Sequence, residues 1–162
     1  MSVNRATKVL LALGLPLYLV VCVFRFGEDK NSDLMWSLQG EWRLVKVAGH
    51  RPDGKPWPET EIPADAKIKI VGNRIYFYQK HTWRRAPWRF RINADQQPPW
   101  FDLVSDYDID RVLIKGIFKL ENDMLYICTG EPERRPKSFE IDKERDMWVW
   151  LSVYKREQSI WK

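Results

Sequence analysis

The chain has 162 residues, 44% of them hydrophobic and 30% charged, with a formal net charge of +5. That is room for one domain and an appendage, and it excludes a disordered polyelectrolyte. Arg5, Lys8 and Arg25 lie in the first 26 residues, which hold no acid, so the remainder carries 24 basic against 22 acidic residues, a balance that argues against a nucleic-acid partner. Two cysteines, Cys22 and Cys128, and two histidines, His50 and His81, are too few and too scattered for a disulfide framework or a Cys/His metal cluster.

Residues 9–24 form an uncharged run that is apolar on every face, with Pro16 in its middle. A spanning helix wants about 20 residues, and Tyr18 and Phe26 can extend this one at the interface. Arg5 and Lys8 before the run place the N-terminus on the cytoplasmic side. A cleaved signal peptide needs a small-x-small site, and Val23, Phe24, Arg25 and Phe26 supply none. A lipoprotein signal needs a small residue before Cys22, where Val21 stands. A signal anchor is therefore preferred, with the other two as alternatives. The expected organisation is a membrane segment over 1–26, a linker and short helical turn over 27–37, a domain over 38–157 on the extracytoplasmic, periplasmic side, and a tail over 158–162.

After the polar linker, Asp33 is the expected N-cap of a helical turn over 34–38. Residues 42–47 alternate as a strand. Residues 48–66 hold Pro52, Pro56, Pro58 and Pro63 and read as a long loop. Residues 67–71 alternate, Gly72 and Asn73 signal a hairpin, and 74–78 return. Strands follow over 88–92, over 100–103 behind Pro98 and Pro99, over 112–120, over 124–129 through a hairpin at 121–123, over 137–141 and over 148–155. Eight or nine strands with almost no helix mean an antiparallel barrel or sandwich, and the run of sequential hairpins favours an up-and-down barrel of about eight strands, which also removes exposed edges. Leu34, Trp36 and Leu38 are expected to cover one opening, and the proline-rich loop to lie over the other.

Gly40-x-Trp42 stands at the start of the first strand. This pattern is similar to the signature that opens lipocalin-like barrels, in which the Trp closes the floor and a basic residue of the last strand lies across it. Here the last strand ends in Tyr154, Lys155 and Arg156. Over about residues 38–156 the chain resembles an uncharacterised lipocalin-like domain family abundant in planctomycete bacteria. The resemblance rests on Leu38, Gln39, Gly40, Glu41 and Trp42; on Pro98, Phe101, Asp102 and Leu103; on Gly116, Ile117 and Phe118 followed by Leu125, Tyr126, Ile127 and Cys128; on Arg135, Pro136, Lys137, Ser138 and Phe139; and on the closing Lys155 and Arg156. It implies a lipocalin-like all-β barrel in which Gly40, Trp42, Asp102, Gly116, Cys128, Arg135, Pro136, Phe139 and Arg156 are structural, and it carries no activity. Strand parity complicates the end: Val149, Leu151, Val153 and Lys155 form the more apolar face and are expected inside, which favours Lys155 over Trp42, whereas the resemblance and the better stacking of Arg on indole favour Arg156. Arg156 is chosen, with a bulge near the strand end to reconcile the two.

No catalytic constellation is visible, so an enzyme is not expected, and neither is a cofactor or a metal. Cys128 reads as a small buried hydrophobe. Asp102, Asp106, Asp108 and Asp110 lack the spacing of a calcium loop and read as a solvated turn, except Asp102, for which an ion pair with Arg135 is expected. Arg74, Lys80, Arg84, Arg85, Arg89 and Arg91 interleave with Tyr76, Tyr78, Trp83 and Trp88, which reads first as an outward barrel face and otherwise as a basic aromatic surface suited to anionic headgroups or acidic glycans. Two functions follow: a membrane-tethered barrel that binds a small apolar or amphipathic ligand, or a ligand-free interaction module of a cell-envelope assembly that uses the basic face.

Overall fold

The computed structural model describes residues 29–49, 55, 62–79, 81–83, 86–108, 110–141 and 149–157. The apolar run over 9–24, His50 with most of the proline-rich loop, Lys80, Arg84, Arg85, Trp148 and the tail over 158–162 lie outside them. Among the described residues no helix is long and apolar enough to cross a membrane.

Among the described residues the alternating segments form ten strands: β1 (Gly40–Gly49), β2 (Lys67–Val71), β3 (Arg74–Gln79), β4 (Thr82–Trp83), β5 (Trp88–Asn93), β6 (Trp100–Val104), β7 (Val112–Ile114), β8 (Gly116–Glu121), β9 (Met124–Thr129) and β10 (Trp150–Arg156). β4 pairs only with β3, and β7 only with β6. The other eight follow one another antiparallel round a closed ring, with β10 returning to β1 and β2 joined to β3. The fold is thus an eight-stranded up-and-down barrel, consistent with a lipocalin-like architecture. One helix, α1 (Lys30–Leu38), precedes β1. Its N-cap is Asp29, whose carboxylate accepts from the Asn31 amide at 3.1 Å, so the helix starts a turn earlier than Asp33 suggested and Asp33 falls inside its first turn.

Alternation sorts each strand into two faces. The inward set of Trp42, Ile68, Ile70, Ile75, Phe90, Phe101, Leu103, Phe118, Leu125, Ile127 and Tyr154 makes one continuous core, joined by Leu38 of α1. A second, smaller core of Ile117, Cys128 and Val149 lies on the outer face, with Trp100, Phe139, Ile141 and Leu151 packed on it. This outer core corrects the parity expectation for the last strand. Val149 and Leu151 are apolar because an irregular segment covers them from outside, and Ser152 and Tyr154 are the residues that point in. Residues 137–141 are not a strand but part of that cover, where Phe139 meets the Tyr126 ring edge-on at 6.4 Å. The expected strand over 112–120 is also interrupted at Lys115, where β7 ends and β8 begins.

Candidate functional site

One end of the barrel is sealed. α1 crosses it from the β5–β6 turn, where the Asn31 side chain accepts from the Ala94 amide at 2.8 Å, to the start of β1. Leu34, Met35 and Leu38 face the core, whereas Trp36 is 76% exposed. Helical spacing explains this correction, because positions 34, 35 and 38 share a helix face and position 36 points away from it. Trp42 is fully buried, and its indole Nε1 donates to the Leu38 carbonyl at 2.9 Å. Trp42 stands opposite Arg156 in the β1–β10 register. The Arg156 guanidinium lies 3.9 Å from the indole centroid and donates to the carbonyls of Gln39 at 2.8 Å and Ser37 at 2.5 Å. One side chain thereby stacks on the floor residue and closes the C-terminal carbonyls of α1. No bulge in β10 is needed for this; the register shift lies in β1, between Leu44 and Lys46. Gly40 takes a φ of +116°, a turn from helix into strand that a side chain would strain.

Above the floor the interior is aromatic. Phe90 stacks on Phe101 at 4.8 Å, and Phe101 meets Phe118 edge-on at 6.2 Å. Towards the opposite end the inward positions are Leu44, Phe77, Trp88 and Ile114, all half-buried, with Phe77 and Trp88 edge-on at 6.3 Å. Two polar groups meet inside: the Tyr154 hydroxyl is hydrogen-bonded with Ser152. Burial pushes the Tyr154 phenol up to about 12, the Ser152 contact opposing it in part, so the phenol is neutral at physiological pH. The arrangement offers apolar walls with one uncharged hydrogen-bonded pair, Tyr154 and Ser152.

The outer face carries the other motif residues. Asp102 is 3% exposed and takes Arg135 in a bidentate pair, at 2.5 and 2.9 Å. The Arg135 guanidinium also donates to the Gly116 carbonyl and lies 4.0 Å from the Trp100 ring centroid. A Cβ at Gly116 would come within 2.7 Å of the Phe101 carbonyl and 2.9 Å of the Cys128 carbonyl, so only glycine lets these strands meet. Pro136, next in sequence to Arg135, is buried near Gly130, and Phe139 packs on the cluster that holds Cys128, which is fully buried.

Of the basic face, Arg74, Arg89 and Arg91 are described, and they stand on the outer side of β3 and β5. Arg74 and Arg89 share Asp106, each at 3.7 Å, and Arg91 lies 3.7 Å from Asp102. Acids thus accompany all three. His81 bonds Asp65 through its backbone amide at 2.8 Å. Among the described residues no group of three or more His, Cys, Asp or Glu side chains could hold a metal ion.

No family model, curated protein or solved structure matches this chain.

The barrel's own geometry therefore carries the functional argument. Leu44, Phe77, Ile114, Ser152 and Tyr154 were not singled out as interior positions from the sequence, and Trp88, grouped there with the basic aromatic face, packs against the inner core instead. The signal for Phe77 and Trp88 was present, since Ile75 with Phe77 and Trp88 with Phe90 alternate against arginines and tyrosines. For Ser152 and Tyr154 the signal pointed the wrong way, because the apolar outer cover made the opposite face look like the inside.

Proposed function

We propose that this chain is a membrane-tethered, extracytoplasmic lipocalin-like barrel that takes a small apolar or amphipathic ligand through the end opposite α1. The carrying observation is the asymmetry of the barrel. One end is closed by α1, Trp42 and Arg156, while the other presents Leu44, Phe77, Trp88 and Ile114 around an interior whose polar pair is Ser152 and Tyr154. A barrel of this strand number has room for one small ligand, and a neutral hydroxyl pair in apolar walls suits an alcohol or carbonyl head on a hydrocarbon body. The tether rests on the apolar run over 9–24 with Arg5 and Lys8 before it. Likeness to the planctomycete lipocalin-like domains is part of the same reading.

The test is native mass spectrometry of the detergent-extracted full chain together with titration of an environment-sensitive apolar dye. Saturable dye binding that Trp88→Ala weakens and Ile114→Trp blocks is the expected result. Absence of both a co-purified ligand and saturable binding would overturn the proposal.

A second reading is favoured by the aromatic train of Phe90, Phe101 and Phe118, which occupies the middle of the barrel. In that reading the barrel is filled, and its basic aromatic outer face contacts an envelope protein or an anionic surface. Charge reversal at Arg74 and Arg91 would then abolish association in a chain that shows no saturable dye binding, whereas the first reading expects saturable dye binding that the reversal leaves unchanged.

A further inference from the structure

Among the described residues, none packs on the exposed side of α1 at Trp36. Its inner side is fully committed, with Leu34, Met35 and Leu38 in the core. Its outer side presents Trp36, 76% exposed, an indole that costs apolar area to keep in water. Beside it the β2–β3 hairpin tip is tied to the helix end by a pair of bonds between Gln39 and Gly72, at 2.7 and 3.2 Å, and that tip carries Val71, 50% exposed. Trp36 and Val71 are therefore held on one rigid end of the barrel.

The chain before α1 limits where this end can go. Only residues 25–29 separate the apolar run from Lys30. Six peptide steps reach at most about 20 Å even when fully extended. A domain so tied cannot turn its far end to the bilayer without carrying α1 out of reach. Tryptophan is also the side chain that settles at the headgroup level, with its ring in the acyl boundary and its N–H in the wet layer.

We infer that the α1 end of the barrel docks on the lipid bilayer, with Trp36 inserted at the interface and Val71 beside it, which turns the end rimmed by Phe77 and Trp88 away from the membrane. The inference rests on the tether reading. The charges named at this end give no attraction to an anionic bilayer, being three bases against four acids: Lys30 stands between Asp29 and Asp33 in sequence, Arg156 lies 3.7 Å from Asp123, and Lys119 bonds Glu121 at 2.8 Å. The contact is accordingly apolar, and raising salt does not release it.

The test reconstitutes the full chain into phosphatidylethanolamine and phosphatidylglycerol vesicles whose acyl chains are brominated near the headgroup. Bromine quenches tryptophan only at close range, so the wild-type chain is compared with Trp36→Phe. A reporter at the other end comes from Tyr107→Trp in the Trp36→Phe background, since Tyr107 follows β6 and is fully exposed. Vesicle flotation after an alkaline wash reads the tether separately. The expected result is a floating chain with a quenched component that disappears in Trp36→Phe, survives high salt, and does not return with Tyr107→Trp. A floating chain whose quenching is the same with and without Trp36, or a quenched Trp at position 107, overturns the docking and leaves the tether standing. A chain that fails to float overturns both.

Discussion

Replacing Arg135 by methionine should be among the costliest single changes on the outer face. Methionine keeps an unbranched apolar side chain at this position but withdraws the guanidinium from both Asp102 and the Trp100 ring. The carboxylate that remains is almost wholly enclosed, its side chain 5% exposed, with the Gly116 amide at 3.4 Å and the Arg91 Nε at 3.7 Å as its nearest partners. Stranding one member of a buried pair costs about 3–5 kcal/mol, well above the worth of a surface ion pair at about 0–1 kcal/mol. For a domain of this size that corresponds to a fall in melting temperature of roughly 12–20 °C. Asp102→Leu combined with Arg135→Met should be milder than Arg135→Met alone, because an apolar pair of similar volume leaves no charge behind. Urea titration of the full chain in mild detergent, followed by tryptophan fluorescence, measures Arg135→Met, Asp102→Leu and the double mutant. A loss below about 1 kcal/mol for Arg135→Met, or a double mutant as damaged as the sum of the singles, would show that the pair does not hold the cover on the barrel.

Three further outcomes are expected. Trp42→Ala should cost about 3–5 kcal/mol through its cavity and Arg156→Ala about 0.5–2 kcal/mol for the stacking alone, and a double-mutant cycle that adds strictly would mean the two side chains are not coupled. Gly116→Ala should destabilise by about 1–3 kcal/mol, since its Cβ meets two backbone carbonyls that cannot swing aside, and a wild-type urea midpoint would refute the close approach. Tyr154 has a folded pKa raised to about 12 from 10.0, so its contribution is intact below pH 10 and is lost as pH rises through 12, by about 2–3 kcal/mol; urea midpoints measured across that window should fall in the wild type and fall less in Tyr154→Phe.

The barrel was legible because its strands alternate and its hairpins carry unambiguous turn residues, as at Gly72 with Asn73 and at the tight turn after Glu121. Where reading failed, a tertiary partner had changed what an apolar residue means. Val149 and Leu151 look like an inner face but lie beneath Phe139 and Ile141, and the 137–141 segment looks like a strand but serves as their lid. Trp36 was grouped with Leu34 and Leu38 in a helical turn expected over 34–38, but the helix starts at Lys30 and its inner face takes Leu34, Met35 and Leu38 and leaves Trp36 outside. The break at Lys115 was hidden because nothing local distinguishes Gly116 as a point where three backbones crowd together. Of the site, the floor pair was readable from the first strand and the last residues of β10, whereas the inward hydroxyls of Ser152 and Tyr154 required the closed ring.

The seam between β1 and β10 also fixes when this molecule can become a protein. The guanidinium that completes the floor belongs to a residue 119 positions after the Ser37 carbonyl it binds. Until the chain has been made through its last strand, β1 and β9 keep bare hydrogen-bonding edges, and those edges can recruit a second chain instead of each other. Closure of so long a loop comes late and slowly. A chain truncated before β10 is therefore expected to be a nucleus for association, unsealed for as long as its last strand is missing.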